Sequence, residues 1–111
     1  MPEQSREWTV ILSDVDRIKV RVVKNGNLII EFSAQYETLI LGHWRKITRY
    51  DNSHGSVPHR HVYSPNRYEY LQIMTVRNNN EAFTEALTII KKNFMKVKEN
   101  YIVLMKRVGR G

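Results

Sequence analysis

Apolar and polar residues alternate over two early stretches of the chain. Ile18, Val20 and Val22 alternate with Arg17, Lys19 and Arg21, and Ile30, Phe32, Ala34 and Tyr36 alternate with Glu31, Ser33, Gln35 and Glu37. A period of two is that of a strand with one face in the core and one in water. A two-residue Asn25-Gly26 turn between them would set Arg21 beside Ile30 and Lys19 beside Phe32, so that apolar faces oppose polar ones. A three-residue loop at 25–27 instead sets Val22 beside Ile30, Val20 beside Phe32 and Ile18 beside Ala34. The same loop length at Asp14, Val15 and Asp16 places Trp8 beside Val22, Val10 beside Val20 and Leu12 beside Ile18. Further strands are expected near 44–50, 59–64 and 68–76.

The period changes after the run of asparagines at 78–80, the clearest linker candidate. Phe83, Leu87, Ile90, Phe94, Val97, Tyr101 and Leu104 recur at alternating spacings of four and three, the stripe of an amphipathic helix. Asn78 and Glu81 have the spacing of an N-terminal cap, so the helix begins near Asn80. Asn100 followed by Tyr-Ile-Val-Leu-Met leaves open whether residues 101–107 continue the helix or form a last strand. The fold expected is α+β: one domain over residues 1–111, with an antiparallel sheet of five or six strands packed against a C-terminal amphipathic helix.

Composition narrows the chemistry. A chain of 111 residues, 41% hydrophobic, supports one modest core. With no cysteine, disulfides, thiolate nucleophiles and cysteine-based zinc sites are excluded, and any metal must rest on histidine and carboxylate. The polar start MPEQSREW and the lack of a long apolar run lead us to expect a cytoplasmic protein with no membrane partner. The formal net charge of +7 comes from residues 43–70 and 91–111. Such a basic domain favours a polyanion, nucleic acid first, because neutralising phosphates releases counterions.

The stretch "RYDNSHGSVPHRHVY", residues 49–63, holds three of the four histidines. Gly55 and Pro58 make residues 51–58 a connection. Symmetric pairing across it opposes Tyr50 to His59, Thr48 to His61 and Ile47 to Val62. His59, His61, Tyr63, Lys46, Thr48 and Tyr50 would then share one face, with Asp51 and His54 on the loop above its end. A slip of one residue exchanges the faces.

Three chemistries suit these residue types. In acid–base cleavage of RNA, which carries its own 2′-hydroxyl nucleophile, His59 or His61 is the general base and the other, or His54, the general acid. Arg49 holds the scissile phosphate and Asp51 orients an imidazole; no cofactor or metal is required. In the second, His59 and His61 bind a metal with His54 or Asp51. In the third, RNA is bound without chemistry: Lys46, Arg49, Arg60 and Arg67 meet phosphates while Tyr50 and Tyr63 offer stacking surfaces. The plain alternative is a turn of Asp51 and Asn52 with a solvated His54. His43, near Gly42 and Trp44, lacks such company and reads as structural.

Arg49-Tyr50-Asp51-Asn52, a loop with His, Gly and Pro, and then His59-Arg60-His61 resemble the signature of small prokaryotic TumE-like toxin proteins. The match covers about fifteen residues, and the segment between Asn52 and His59 is shorter than the family's His/Pro-rich insertion. The resemblance implies a toxin–antitoxin context, with RNA as target and an antitoxin protein as partner. A homodimer is another way to cover an open sheet edge.

Overall fold

The computed structural model describes residues 3–53, 56–66 and 69–107. Six strands, β1 (Gln4–Ser13), β2 (Asp16–Asn25), β3 (Leu28–Ile40), β4 (His43–Asp51), β5 (His59–Tyr63) and β6 (Glu69–Ile73), form one antiparallel sheet in sequence order. One helix among the described residues, α1 (Asn79–Met105), follows and packs across β3 and β4. This is the expected α+β architecture. No helix among the described residues is long and apolar enough to cross a membrane.

The alternating residues of β2 and β3 form the sheet's half of the core: Ile18, Val20, Val22, Phe32, Ala34 and Tyr36 are all buried. Against them the helix sets Ala82, Ala86, Ile90 and Tyr101, with Phe83, Leu87, Phe94 and Val97 packed beside them. Ala82 and Ala86 are fully buried. Residues 101–105 continue the helix, but its last turn drifts from the expected stripe. Met105 packs on the core and Leu104 is 40% exposed.

The asparagine run is no linker. Asn78 caps the helix by accepting the Glu81 N–H at 2.8 Å. Asn79 donates to the Ile29 carbonyl at 3.0 Å, while Asn80 accepts from the Ile29 N–H at 3.0 Å and donates to the Asn27 carbonyl at 2.9 Å. The run therefore fastens the start of α1 to the β2–β3 hairpin.

Both early hairpins differ from the expected loops. The observed pairs are Val22 with Phe32, Val20 with Ala34 and Ile18 with Tyr36, and in the first hairpin Trp8 with Val20 and Val10 with Ile18. Each register is displaced by two residues, so the apolar faces still match. The turns are two residues long, Asp14-Val15 and Gly26-Asn27, and a β-bulge one step in, at Leu12 and at Ile30, restores the parity that a two-residue turn alone would break. The β3–β4 hairpin repeats the device. Its turn, Leu41-Gly42, has positive φ at both residues, 52° and 79°, and Ile47 is the bulged residue.

A carboxylate is built into the core on the helix side. Asp16, 2% exposed, accepts from the Tyr36 hydroxyl at 2.6 Å, from Ser13 Oγ at 2.7 Å and from Lys98 Nζ of the helix at 3.1 Å. Burial pushes the Tyr36 phenol up, and the neighbouring carboxylate pushes it further. This latch joins β2, β3 and α1 by satisfied hydrogen bonds rather than apolar contact.

Candidate functional site

The β4–β5 ladder pairs Thr48 with Val62, Arg49 with His61, Tyr50 with Arg60 and Asp51 with His59. This is one residue from the symmetric pairing expected, and it exchanges part of the face. The Ile47 bulge turns Ile47 and Thr48 inward together, and both are buried. Thr48 Oγ1 donates to the His61 carbonyl at 2.8 Å, and Tyr50, 4% exposed, belongs to the core. Thr48 and Tyr50 therefore leave the predicted cluster, and Tyr50 is not a stacking surface. Arg60 follows Tyr50 to the helix side, its guanidinium 5.7 Å from the Tyr50 ring centroid. On the outer face, away from the helix, His59, His61, Tyr63 and Lys46 remain together and are joined by Arg49 and Asp51.

Asp51 is the hub. Its side chain is 1% exposed, and its carboxylate accepts from Arg49 Nε at 2.5 Å and from the Ser53 N–H and hydroxyl at 3.1 and 3.0 Å. Burial alone would raise its carboxyl; the Ser53 hydrogen bonds and the Arg49 charge outweigh that and hold it below the usual carboxylate value. His59 Nε2 lies 3.1 Å from Asp51 Oδ1, His61 Nε2 lies 3.3 Å from Oδ2, and the two Nε2 atoms are 3.0 Å apart.

The far side of each ring has a partner as well. His59 Nδ1 lies 2.8 Å from the Val57 carbonyl oxygen, and His61 Nδ1 meets the Glu69 carboxylate. Both partners can accept an Nδ1–H, which leaves each Nε2 directed at the Asp51 carboxylate and at the other ring. Arg49 Nη2 completes the group, 3.2 Å from His61 Nε2.

Tyr63 stacks on His61 with nearly parallel rings, centroids 5.9 Å apart, and Lys46 Nζ lies 4.4 Å from the Tyr63 centroid. The row Lys46, Tyr63, His61, His59 thus runs along the outer face. A groove of about 360 Å³ reaches Arg49 from the β1–β3 side, past Lys19, Arg21, Ser33 and Gln35. The predicted residues His54 and Arg67 lie outside the described residues. His43 is exposed at the start of β4, across the turn from Ile40, away from the cluster.

Three side chains that contribute are not among the predicted site residues. Glu69 sits on β6, whose residues are all exposed, so no apolar face fixes its parity; only the Tyr63–Glu69 pairing brings it to His61. Ser53 follows Asp51 by two residues, a spacing typical of an Asx-type turn. Asn52, 1% exposed, accepts the Phe32 N–H at 2.8 Å and donates to the Ile30 carbonyl at 3.0 Å. It supplies a partner at the β3 bulge and fixes the backbone beside Asp51. The basic charge is also divided, since exposed Lys91, Lys92 and Lys96 lie on the helix layer and the histidines on the opposite side of the sheet.

Residues 1–105 match the model of a family described as a domain of unknown function (DUF7718). No curated protein and no solved structure matches the chain.

Proposed function

The chain belongs to the DUF7718 family, and we propose that it is a toxin-like factor that acts on RNA and cleaves its backbone at Arg49, Asp51, His59 and His61. The observation that carries this reading is the placement of Arg49 Nη2 3.2 Å from His61 Nε2. A group that holds a phosphate and a nitrogen that faces the reacting atoms stand side by side. Attack of a 2′-hydroxyl on its own phosphorus forms the cyclic phosphate and breaks the bond to the 5′ oxygen. His59 or His61 accepts the 2′ proton, and the other ring gives a proton to the leaving 5′ oxygen. Arg49 offsets the charge that develops on the phosphorus oxygens, and the buried Asp51 keeps the guanidinium and both rings in place.

The net charge of +7 supports the encounter with RNA. The test is incubation of mixed RNA with the parent, His61→Ala and Arg49→Ala proteins. The parent cleaves, and each variant loses roughly 10² to 10⁴ in turnover while its circular dichroism stays that of the parent. RNA that the parent binds but leaves whole makes this a non-catalytic RNA-binding module, and cleavage equal in all three removes the site assignment.

A further inference from the structure

We propose that Asp51, His59 and His61 bind a divalent transition-metal ion of the zinc class. The inference shares its residues with the RNA-cleaving reading but gives them another part, because an ion on both Nε2 atoms would take the lone pairs that proton transfer needs and would supply a bound water in their place; the geometry behind it does not depend on RNA. Nitrogen and oxygen ligands sit about 2.0–2.1 Å from such an ion, which places neighbouring ligand atoms about 2.9 Å apart in octahedral and about 3.3 Å apart in tetrahedral coordination. Here the separations are 3.0 Å between the two Nε2 atoms, 3.1 Å from His59 Nε2 to Asp51 Oδ1 and 3.3 Å from His61 Nε2 to Asp51 Oδ2. The two Nε2 atoms and the two Asp51 carboxylate oxygens, four atoms in all, are spaced as neighbouring ligand atoms are, and one ligand atom from each of the three residues lies within 4.8 Å of the others.

The surroundings of the rings agree. A metal-binding histidine presents one nitrogen to the ion and donates the other N–H to a carbonyl or carboxylate, which fixes its tautomer and aim. His59 does this through the Val57 carbonyl and His61 through Glu69. Two such imidazoles would otherwise point lone pairs at each other across 3.0 Å beside a carboxylate. Either a third proton or a cation must stand between them.

Charge and access favour the cation. Asp51 and Glu69 against Arg49 leave one net negative charge with both rings neutral. A dication turns that into one net positive charge, suited to a phosphodiester. Two histidines and one carboxylate match zinc, manganese, iron or cobalt rather than magnesium or calcium, which take oxygen ligands. Three protein ligands leave further positions open, and the cluster faces away from the helix. Arg49 is the element that works against a metal, because its guanidinium contacts both Asp51 Oδ2 and His61 Nε2. Its side chain is 30% exposed, so an anion shared between ion and guanidinium can draw it outward.

The experiment uses the full chain without an affinity tag, stripped with chelator and dialysed, titrated calorimetrically with Zn²⁺, with Co²⁺ absorption as a second probe. Expected are one ion per chain, a Co²⁺ spectrum distinct from the aquo ion, affinity lowered at least about 10²-fold in His59→Ala and His61→Ala, and lowered about 10- to 100-fold in Glu69→Gln. Glu69 lies on the exposed edge strand, so that variant keeps the readout if the histidine variants fail to fold. No saturable binding by the parent, an unchanged Co²⁺ spectrum, or equal Zn²⁺ affinity in parent and Glu69→Gln would overturn the assignment. RNA is absent from the titration, so metal binding without cleavage sinks only the RNA reading, and cleavage without metal binding sinks only this one.

Discussion

Arg49 and Arg60, both inside the histidine motif, lie on opposite faces of the sheet. Arg49 stands across the ladder from His61 and binds Asp51, whereas Arg60 stands across from Tyr50 and packs over its ring on the helix side. Sequence alone makes both of them phosphate contacts. The structure separates them, so Arg49→Ala should weaken RNA binding and lower the salt slope of log affinity by about one. Arg60→Ala should change affinity by only about twofold, the size expected for a cation outside the contact. Fluorescence anisotropy with single-stranded RNA at several salt concentrations checks both. Equal losses in the two variants would mean that RNA does not lie on the outer face.

Asn52 should support the site without touching a substrate. Replacing it with Ala removes the partner of the buried Phe32 N–H and the nearer of two donors to the Ile30 carbonyl, which keeps the Asn79 amide at 3.4 Å. The expected loss is about 1–3 kcal/mol, chiefly the desolvation left on the Phe32 N–H. Urea denaturation with an unchanged slope and a lower midpoint is the expected result. A midpoint equal to the parent's would show that water replaces the side chain without loss.

Phe94 packs edge-on against Tyr36, ring centroids 5.7 Å apart, and Tyr36 is fully buried. Phe94→Asp gives up that contact and sets a carboxylate close to the Asp16 latch. The cost, at least about 3 kcal/mol, is a large share of a small domain's stability. Circular dichroism and thermal melting should report an unfolded or strongly destabilised chain, and a melt that matches the parent would undo the account of helix-on-sheet packing.

Acid should attack the latch. Burial pushes the Asp16 carboxyl up, but hydrogen bonds from Tyr36, Ser13 and Lys98 outweigh it and leave the group below its ordinary value. A carboxyl depressed in the folded state adds stability that is complete above the unfolded value of about 3.9 and is lost as pH falls through the folded value. Asp16→Asn keeps the shape and loses the charge, so its stability should fall less steeply than the parent's between about pH 5 and pH 2. The Asp51 carboxyl, depressed likewise, leaves a residual slope. Parallel stability curves for parent and variant would show that the latch carries no such linkage.

The layers of the fold were legible because period two and period 3.6 are properties of single segments. Ile18, Val20, Val22, Phe32 and Ile90 could be assigned to the core without knowing any partner. The site was legible in its membership and less so in its arrangement. His59, His61, Arg49 and Asp51 were named from residue type, but their common face depends on the β4–β5 register, which stands one residue from the symmetric pairing, and on the parity of β4, which the Ile47 bulge sets against β3. A bulge leaves no strong mark in composition: Leu12, Ile30 and Ile47 look like ordinary strand residues. Glu69 was out of reach for a related reason, since its partner His61 lies on another strand and the exposed β6 offers no pattern from which to count.

Those bulges also govern which kinds of genetic change the sheet tolerates. Each two-residue turn is an odd step in a count of faces, and each bulged residue is the odd step that corrects it. Substituting Ile47 alters one side chain, whereas deleting it would shift the frame of everything between that point and the end of β4, exchanging the inward Tyr50 for the outward Arg49 and Asp51 relative to β3. A loss of one codon there would therefore act like a frameshift written in three dimensions, while the loss of a turn residue together with its bulge would leave the message readable.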